Sequence, residues 1–186
     1  MLSELKPYFE GLLQKPARFF SDRGLRPNHL TICGLILSFI CFFVFRSGWA
    51  LVGGVLLLVC GFFDAIDGAV ARLTGRETAF GGLLDSVVDR YSDFLVLAGM
   101  MLGNLTTPLW GLLAILGSFM VSYTRARAEA AGAGKLAVGL AERGERVLIL
   151  SVFSILGLVH YGVILVAVLA NLTAVQRVVV ARSRLT

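Results

Sequence analysis

Four aspartates stand close together in an otherwise apolar chain: Asp64, Asp67, Asp85 and Asp89. The run reads Asp64-x-x-Asp67-Gly68-x-x-Ala71-Arg72, then Gly81-x-x-x-Asp85-x-x-x-Asp89. A carboxylate in apolar surroundings is costly unless it is paired or binds a metal. On helices, positions 64 and 67 share one face, as do 85 and 89. Carboxylates gathered this way repel, and divalent cations are the natural means of holding them together. An all-oxygen donor set selects a hard cation, Mg2+, Mn2+ or Ca2+, over Zn2+. On spacing alone, a structural ion network and a cation pathway through a transporter remain open as other readings.

Small residues accompany the acids. Gly68 follows Asp67, Ala71 lies one turn farther on, and Gly81 and Gly82 open the second helix. Such positions let a bulky ligand approach the backbone, or let two helices pack closely. Arg72, one turn past Gly68, is placed to meet a phosphate.

A second, cationic group follows. Ser122-Tyr123-Thr124-Arg125-Ala126-Arg127-Ala128-Glu129 precedes Lys135, then comes Glu142-Arg143-Gly144-Glu145-Arg146, and Arg177 lies near the end of the last apolar run. Attraction to anionic headgroups accounts for Arg182 and Arg184. Arg125, Arg143 and Arg177 fall instead at three helix ends, where forked guanidinium hydrogen bonds suit a second phosphate.

The elements carrying these groups are membrane helices. The chain has 186 residues, 57% hydrophobic and 16% charged, with a mean hydropathy of +0.83. A soluble domain carries about 25% charged residues. Charge-free runs cover Leu30–Phe45, Ser47–Phe63, Phe94–Thr124 and Val147–Gln176. The last two are too long for single spans. Asn104-Leu-Thr-Thr-Pro108 divides the first of them, and His160-Tyr161-Gly162 is the expected bend in the other. The expected fold is therefore all-α, with six transmembrane helices near 29–46, 48–72, 81–103, 108–129, 143–159 and 162–181. Residues 29–186 form this domain, and residues 1–28 precede it with no cleavable-looking signal sequence.

Charge supports the count. With six spans, all 12 acidic residues and every Lys or Arg except Arg46 fall on or near one side. The positive-inside rule makes that side cytoplasmic, together with both termini and the site. The third span reaches full length only by including Asp85, Asp89 and Asp93: from Asp85 to Gly103 is about 28 Å of helix. Those aspartates must then face a polar cavity open to the cytoplasm. Residues 3–22 form an amphipathic surface helix interrupted at Pro16, with Leu5, Phe9, Leu12, Leu13, Phe19 and Phe20 toward lipid and Lys6, Glu10, Lys15 and Arg18 in water.

The aspartate pattern resembles the signature of the CDP-alcohol phosphatidyltransferases, D-x-x-D-G-x-x-A-R followed by G-x-x-x-D-x-x-x-D, at every fixed position. The resemblance implies a six-helix membrane fold, usually a homodimer, that displaces CMP from a CDP-linked lipid with an alcohol. It implies Asp64, Asp67 and Asp85 as ligands of Mg2+ or Mn2+. Asp89 becomes the general base and a further metal contact. Gly68, Arg72 and Thr78 are implied to bind the nucleotide diphosphate, as is the stretch Asn28, His29, Leu30 and Thr31 after Pro27. Divalent metal suits such a displacement, and a metal-side aspartate can take the acceptor's proton.

Within that family, Ser-Tyr-x-Arg-Ala-Arg-Ala-Glu and Glu-Arg-x-Glu-Arg resemble the branch that uses inositol 1-phosphate. This implies Ser122, Arg125, Arg143 and Arg177 around the acceptor phosphate. Gly144 replaces the expected Pro, and Arg125 a frequent Lys, leaving the charge intact. Glycerol 3-phosphate or serine as acceptor, and a divalent-cation transporter, are the alternatives. Cys33, Cys41 and Cys60 lie in apolar runs and read as small hydrophobes. His29 and His160 fall on opposite sides of the membrane, and Gly99-x-x-x-Gly103 reads as a helix contact. No nucleic-acid motif is present.

Overall fold

Proline and glycine punctuation divides the chain into helices. The computed structural model describes residues 6–136 and 138–185, with side chains from residue 13 onward. Among the described residues there are seven helices and no strand: α1 (Lys6–Asp22), α2 (Pro27–Arg46), α3 (Ala50–Thr74), α4 (Ala79–Leu102), α5 (Pro108–Ala130), α6 (Arg143–Ile155) and α7 (Val159–Leu185). Pro27 and Pro108 open α2 and α5, where a missing N–H costs nothing. The Thr78 hydroxyl caps α4 by accepting from the Gly81 amide at 2.9 Å. Glu142 and Glu145 close a capping box at the start of α6.

Four helices, α2, α3, α5 and α7, are long and apolar enough to cross a membrane. The first half of α4 carries Asp85, Asp89, Arg90 and Asp93. With 13 residues, α6 rises only about 20 Å. Large apolar side chains such as Ile36, Phe39, Ile40 and Phe43 on α2, and Leu51, Val52 and Val55 on α3, lie on the outside, as suits a lipid-facing surface.

The break between α6 and α7 is not at His160-Tyr161-Gly162, which belongs to the first turn of α7. It lies at Leu156–Leu158, where Gly157 takes φ +72° and the Leu158 amide reaches back to the Phe153 carbonyl at 2.7 Å. Glycine adopts that left-handed step without strain, so the helix ends at Ile155, four residues before the expected end at 159. The other expected break holds: α4 stops at Leu102, and Asn104 turns the chain with φ +56°.

The main core joins Cys41 and Phe45 of α2, Leu57 and Cys60 of α3, Val96, Leu97 and Met100 of α4, Ala114 of α5, Leu150 of α6 and Val163 and Val166 of α7. At Gly99 a Cβ would come within 2.7 Å of the Phe42 carbonyl oxygen, so α2 and α4 meet backbone to backbone there.

No break occurs at Pro16, because α1 runs through it. Ala17 is fully buried beside Leu30, Ile66 and Val70, with Leu13 and Phe20 packed against them. That docking onto α3 keeps the helix continuous despite the lost hydrogen bond. Phe19 is exposed under the Arg23 guanidinium, and Lys15 and Arg18 are exposed. Leu5 and the side chains of Lys6, Phe9, Glu10 and Leu12 lie outside the described residues.

The loop 131–142 is strapped onto α7. Thr173 Oγ1 accepts from the Leu140 and Ala141 amides at 3.1 and 3.2 Å. Arg184 donates to the Ala133 and Lys135 carbonyls at 3.3 and 3.0 Å. These bonds satisfy a loop backbone that has no ladder of its own.

Candidate active site

Helical spacing brings the aspartates together from two elements. Asp64 and Asp67 stand near the end of α3, Asp85 and Asp89 near the start of α4. Carboxylate oxygens of Asp64, Asp67 and Asp85 lie within 4.8 Å of one another. Asp67 is buried, at 6% exposed, and its Oδ2 accepts 2.8 Å from Thr31 Oγ1 on α2. Buried Asp85 Oδ1 has no hydrogen-bond donor. A converging set of hard oxygens, one orphaned, fits a divalent cation.

Asp89 stands outside that trio and faces Arg143 instead. Arg143 Nη1 lies 2.8 Å from Asp89 Oδ1 and 2.5 Å from Asp64 Oδ2. Neither approach forms an aligned hydrogen bond: Arg143 Nη1 and Nε and Asp89 Oδ1 are all buried without one. The guanidinium is thus a counter-charge among the carboxylates rather than a fully bonded partner.

Two cavities meet at Asp85. One, of about 190 Å³, is lined by Asn28, Thr31, Asp67, Gly68, Arg72, Thr78 and Gly81. A Cβ at Gly68 would sit 3.4 Å from Arg72 Nη1, and one at Gly81 3.0 Å from Thr78 Oγ1 and 3.4 Å from Asn28 Oδ1. Both glycines therefore keep this cavity open. Two residues of the predicted Asn28–Thr31 stretch do not line it. Leu30 is 2% exposed in the apolar cluster with Ala17 and Ile66. His29 turns back so that its Nδ1 accepts from the Arg26 amide at 3.4 Å. The reason is helical: about 100° per residue separates neighbours, so only 28 and 31 share the inner face.

The second cavity, about 320 Å³, is lined by Asp85, Asp89, Arg90, Ser122, Arg125, Arg143 and Arg177, among others. It gathers all four predicted acceptor-side residues. Their states differ. Arg125 pairs with Glu129 at 3.0 Å on an exposed face. Arg177 is 2% exposed; it donates to the Val121 and Val138 carbonyls, both at 2.7 Å, and approaches Glu142 at 3.4 Å. Ser122 Oγ donates weakly to the Ser118 carbonyl, 3.4 Å away.

The sequence placed Asp93 on the third span and Arg146 in a charged motif but assigned no site role to them or to Arg90. Arg146 is 3% exposed and its Nη2 meets Asp93 Oδ2 at 2.6 Å. Spacing alone carried a signal: Asp85, Asp89 and Asp93 are i, i+4, i+8 on one stripe, and Arg143 and Arg146 are i, i+3.

Comparison with known proteins identifies relatives of this chain. A sequence profile of the CDP-alcohol phosphatidyltransferases matches residues 25–181. The archaetidylinositol phosphate synthase of Pyrococcus horikoshii is 43% identical over 185 residues, covering 100% of this chain and 98% of its own length. That of Methanothermobacter thermautotrophicus is 39% identical, covering 100% and 96%. The crystal structure of Mycobacterium tuberculosis phosphatidylinositol phosphate synthase with CDP-DAG bound superposes with a TM-score of 0.80 at 30% identity, over 91% of this chain and 92% of that one. The same enzyme in complex with manganese and citrate gives 0.83 at 29% identity, over 92% and 89%. Residues 25–181, which hold both cavities and the aspartates between them, thus place the chain in the CDP-alcohol phosphatidyltransferase family.

Proposed function

We propose that the protein transfers the phosphatidyl or archaetidyl group of a CDP-linked lipid to inositol 1-phosphate and releases CMP. The observation that carries this is the placement of Asp85 on the wall between two cavities, one lined by the nucleotide-signature residues and the other by arginines. The names of the Pyrococcus and Methanothermobacter relatives support the same acceptor.

Asp64, Asp67 and Asp85 would hold Mg2+ or Mn2+, as manganese in the related M. tuberculosis structure supports. Bound there, the cation neutralises the diphosphate and eases departure of CMP. The chain's own residues do the rest. Asn28, Thr31, Gly68, Arg72 and Thr78 seat the CDP end in the smaller cavity. Arg125, Arg143 and Arg177, with Ser122, receive the acceptor's phosphate in the larger one. Asp89 borders that larger cavity and takes the proton of the acceptor hydroxyl as its oxygen bonds to the lipid's phosphorus. The bond from that phosphorus to the CMP oxygen breaks at the same centre.

In this reading α2 to α7 are six membrane spans of a multi-pass protein of the cell membrane, and α1 lies along its surface. The site and both termini face the cytoplasm, as the one-sided distribution of charge supports. The protein works as a homodimer among membrane lipids, in phospholipid biosynthesis.

CMP release by purified protein tests the reading, with CDP-lipid, Mn2+ or Mg2+, and inositol 1-phosphate, glycerol 3-phosphate or serine supplied in turn. Turnover with inositol 1-phosphate is expected. Turnover with serine and none with inositol 1-phosphate would sink the acceptor assignment. Metal uptake into proteoliposomes without CMP release would favour a transporter.

A further inference from the structure

The geometry points to Asp93 and Arg146 as a positioning pair for the acceptor side of the site, setting where the Arg143 guanidinium stands. This rests on the acceptor reading above.

Asp93 lies one turn beyond Asp89 on the same face of α4. Its side chain is 13% exposed, and its two oxygens are divided between two arginines. Oδ2 lies 2.6 Å from Arg146 Nη2, and Oδ1 lies 3.5 Å from Arg143 Nε. Arg146 is itself anchored at a second point, because its Nη1 donates to the Ala141 carbonyl at 2.9 Å. Ala141 in turn hangs from Thr173 on α7. A chain of contacts therefore runs from α7 through the loop to Arg146, to Asp93, and on to Arg143.

Arg143 is flanked by carboxylates at both ends, through charge contacts without aligned hydrogen bonds. Nε faces Asp93 while Nη1 reaches Asp64 and Asp89. A guanidinium is planar, so a carboxylate charge beside Nε biases where the fork points. Arg143 and Arg146 sit i, i+3 on α6, and one carboxylate addresses both. Asp93 is not in the metal-facing trio. Its effect is expected to pass through Arg143 to the acceptor, with the nucleotide cavity untouched.

The test compares wild type with Asp93→Asn by steady-state CMP release, varying inositol 1-phosphate and CDP-lipid separately, with Mn2+ binding measured by calorimetry on the same samples. The acceptor KM is expected to rise about tenfold or more, while the lipid KM stays within about twofold and the Mn2+ Kd shifts by less than it does in Arg143→Gln. In an Arg143→Lys background the same substitution should add less than about twofold, since the group it positions is already altered. Arg146→Lys keeps a charge for Asp93 but cannot also hold Ala141, and should raise the acceptor KM by less. An unchanged acceptor KM in Asp93→Asn, or full additivity with Arg143→Lys, overturns the inference. Loss of folded protein in both variants also overturns it, by assigning the pair to stability alone. Wild type that releases CMP only with another acceptor overturns the acceptor reading instead, and the same KM comparison is then made with that acceptor.

Discussion

Thr31 on α2 donates a 2.8 Å hydrogen bond to Asp67 on α3. One contact thereby links the helix that opens the nucleotide cavity to a carboxylate of the metal-facing trio. Both residues are buried, at 6% exposed each. Thr31→Val keeps the shape and removes the donor. A buried acceptor left unpaired costs about 1–3 kcal/mol. Weaker Mn2+ binding is expected, by about 5- to 50-fold, with a smaller change in acceptor KM; calorimetry on the purified variant checks this. An unaltered Mn2+ affinity would mean that the bond does not orient Asp67.

Metal loading should appear as stability as well as activity. A cation that binds only the folded chain adds about 2.7 kcal/mol at a hundredfold excess over its Kd. Mn2+ should therefore raise the unfolding temperature of chelator-treated wild type and restore its CMP release. Asp64→Asn and Asp85→Asn should lose most of that thermal shift, and Asp89→Asn should retain most of it while its turnover falls at least about a hundredfold. The contrast follows from geometry, because Asp89 lies outside the trio.

Arg143 carries a charge 2.5 Å from Asp64. That charge competes with a cation for the same carboxylates. Arg143→Gln is expected to tighten Mn2+ binding at least about threefold and to raise the KM for inositol 1-phosphate. Weaker Mn2+ binding in this variant would show that the arginine supports the metal-facing trio rather than opposing it.

Gly81 and Gly82 are neighbours with different surroundings. A Cβ at 81 meets Thr78 and Asn28 in the nucleotide cavity, whereas one at 82 meets nothing within 4 Å. Gly81→Val should raise the KM for CDP-lipid about tenfold or more, with Gly82→Ala close to wild type. Equal effects from the two would remove the steric argument for position 81.

Gly99 tests the fold instead of the chemistry. Its missing side chain lets α4 lie against the Phe42 backbone. Overpacking such a contact costs about 1–3 kcal/mol or more. Gly99→Leu should lower the unfolding temperature in detergent without selectively changing either substrate's KM.

Much of this was legible in one dimension because the relevant physics is local. Helical periodicity alone put 64 with 67 and 85 with 89. The short connection from Thr74 to Ala79 forced those pairs to be neighbours. Charge and hydropathy marked a membrane protein, and Pro108 and Asn104 marked helix boundaries, since each acts on its own stretch of backbone. Gly157 acts locally too, but among so many glycines in apolar runs it carried no distinguishing mark.

Tertiary structure decided which partner each charge met. Arg143 looked like a free cation for a phosphate, yet it stands between Asp64 and Asp89. Arg177 looked the same, yet two of its three nitrogens hold backbone carbonyls from α5 and the loop 131–142. Asp93 and Arg146 lie on stripes that the spacing marks, but only the fold, which brings these side chains of α4 and α6 together, makes them a pair. Long-range pairing depends on how helices distant in the chain come to face one another. Local sequence thus determined that four carboxylates share one end of two helices, and packing decided that a fifth carboxylate and two arginines stand behind them.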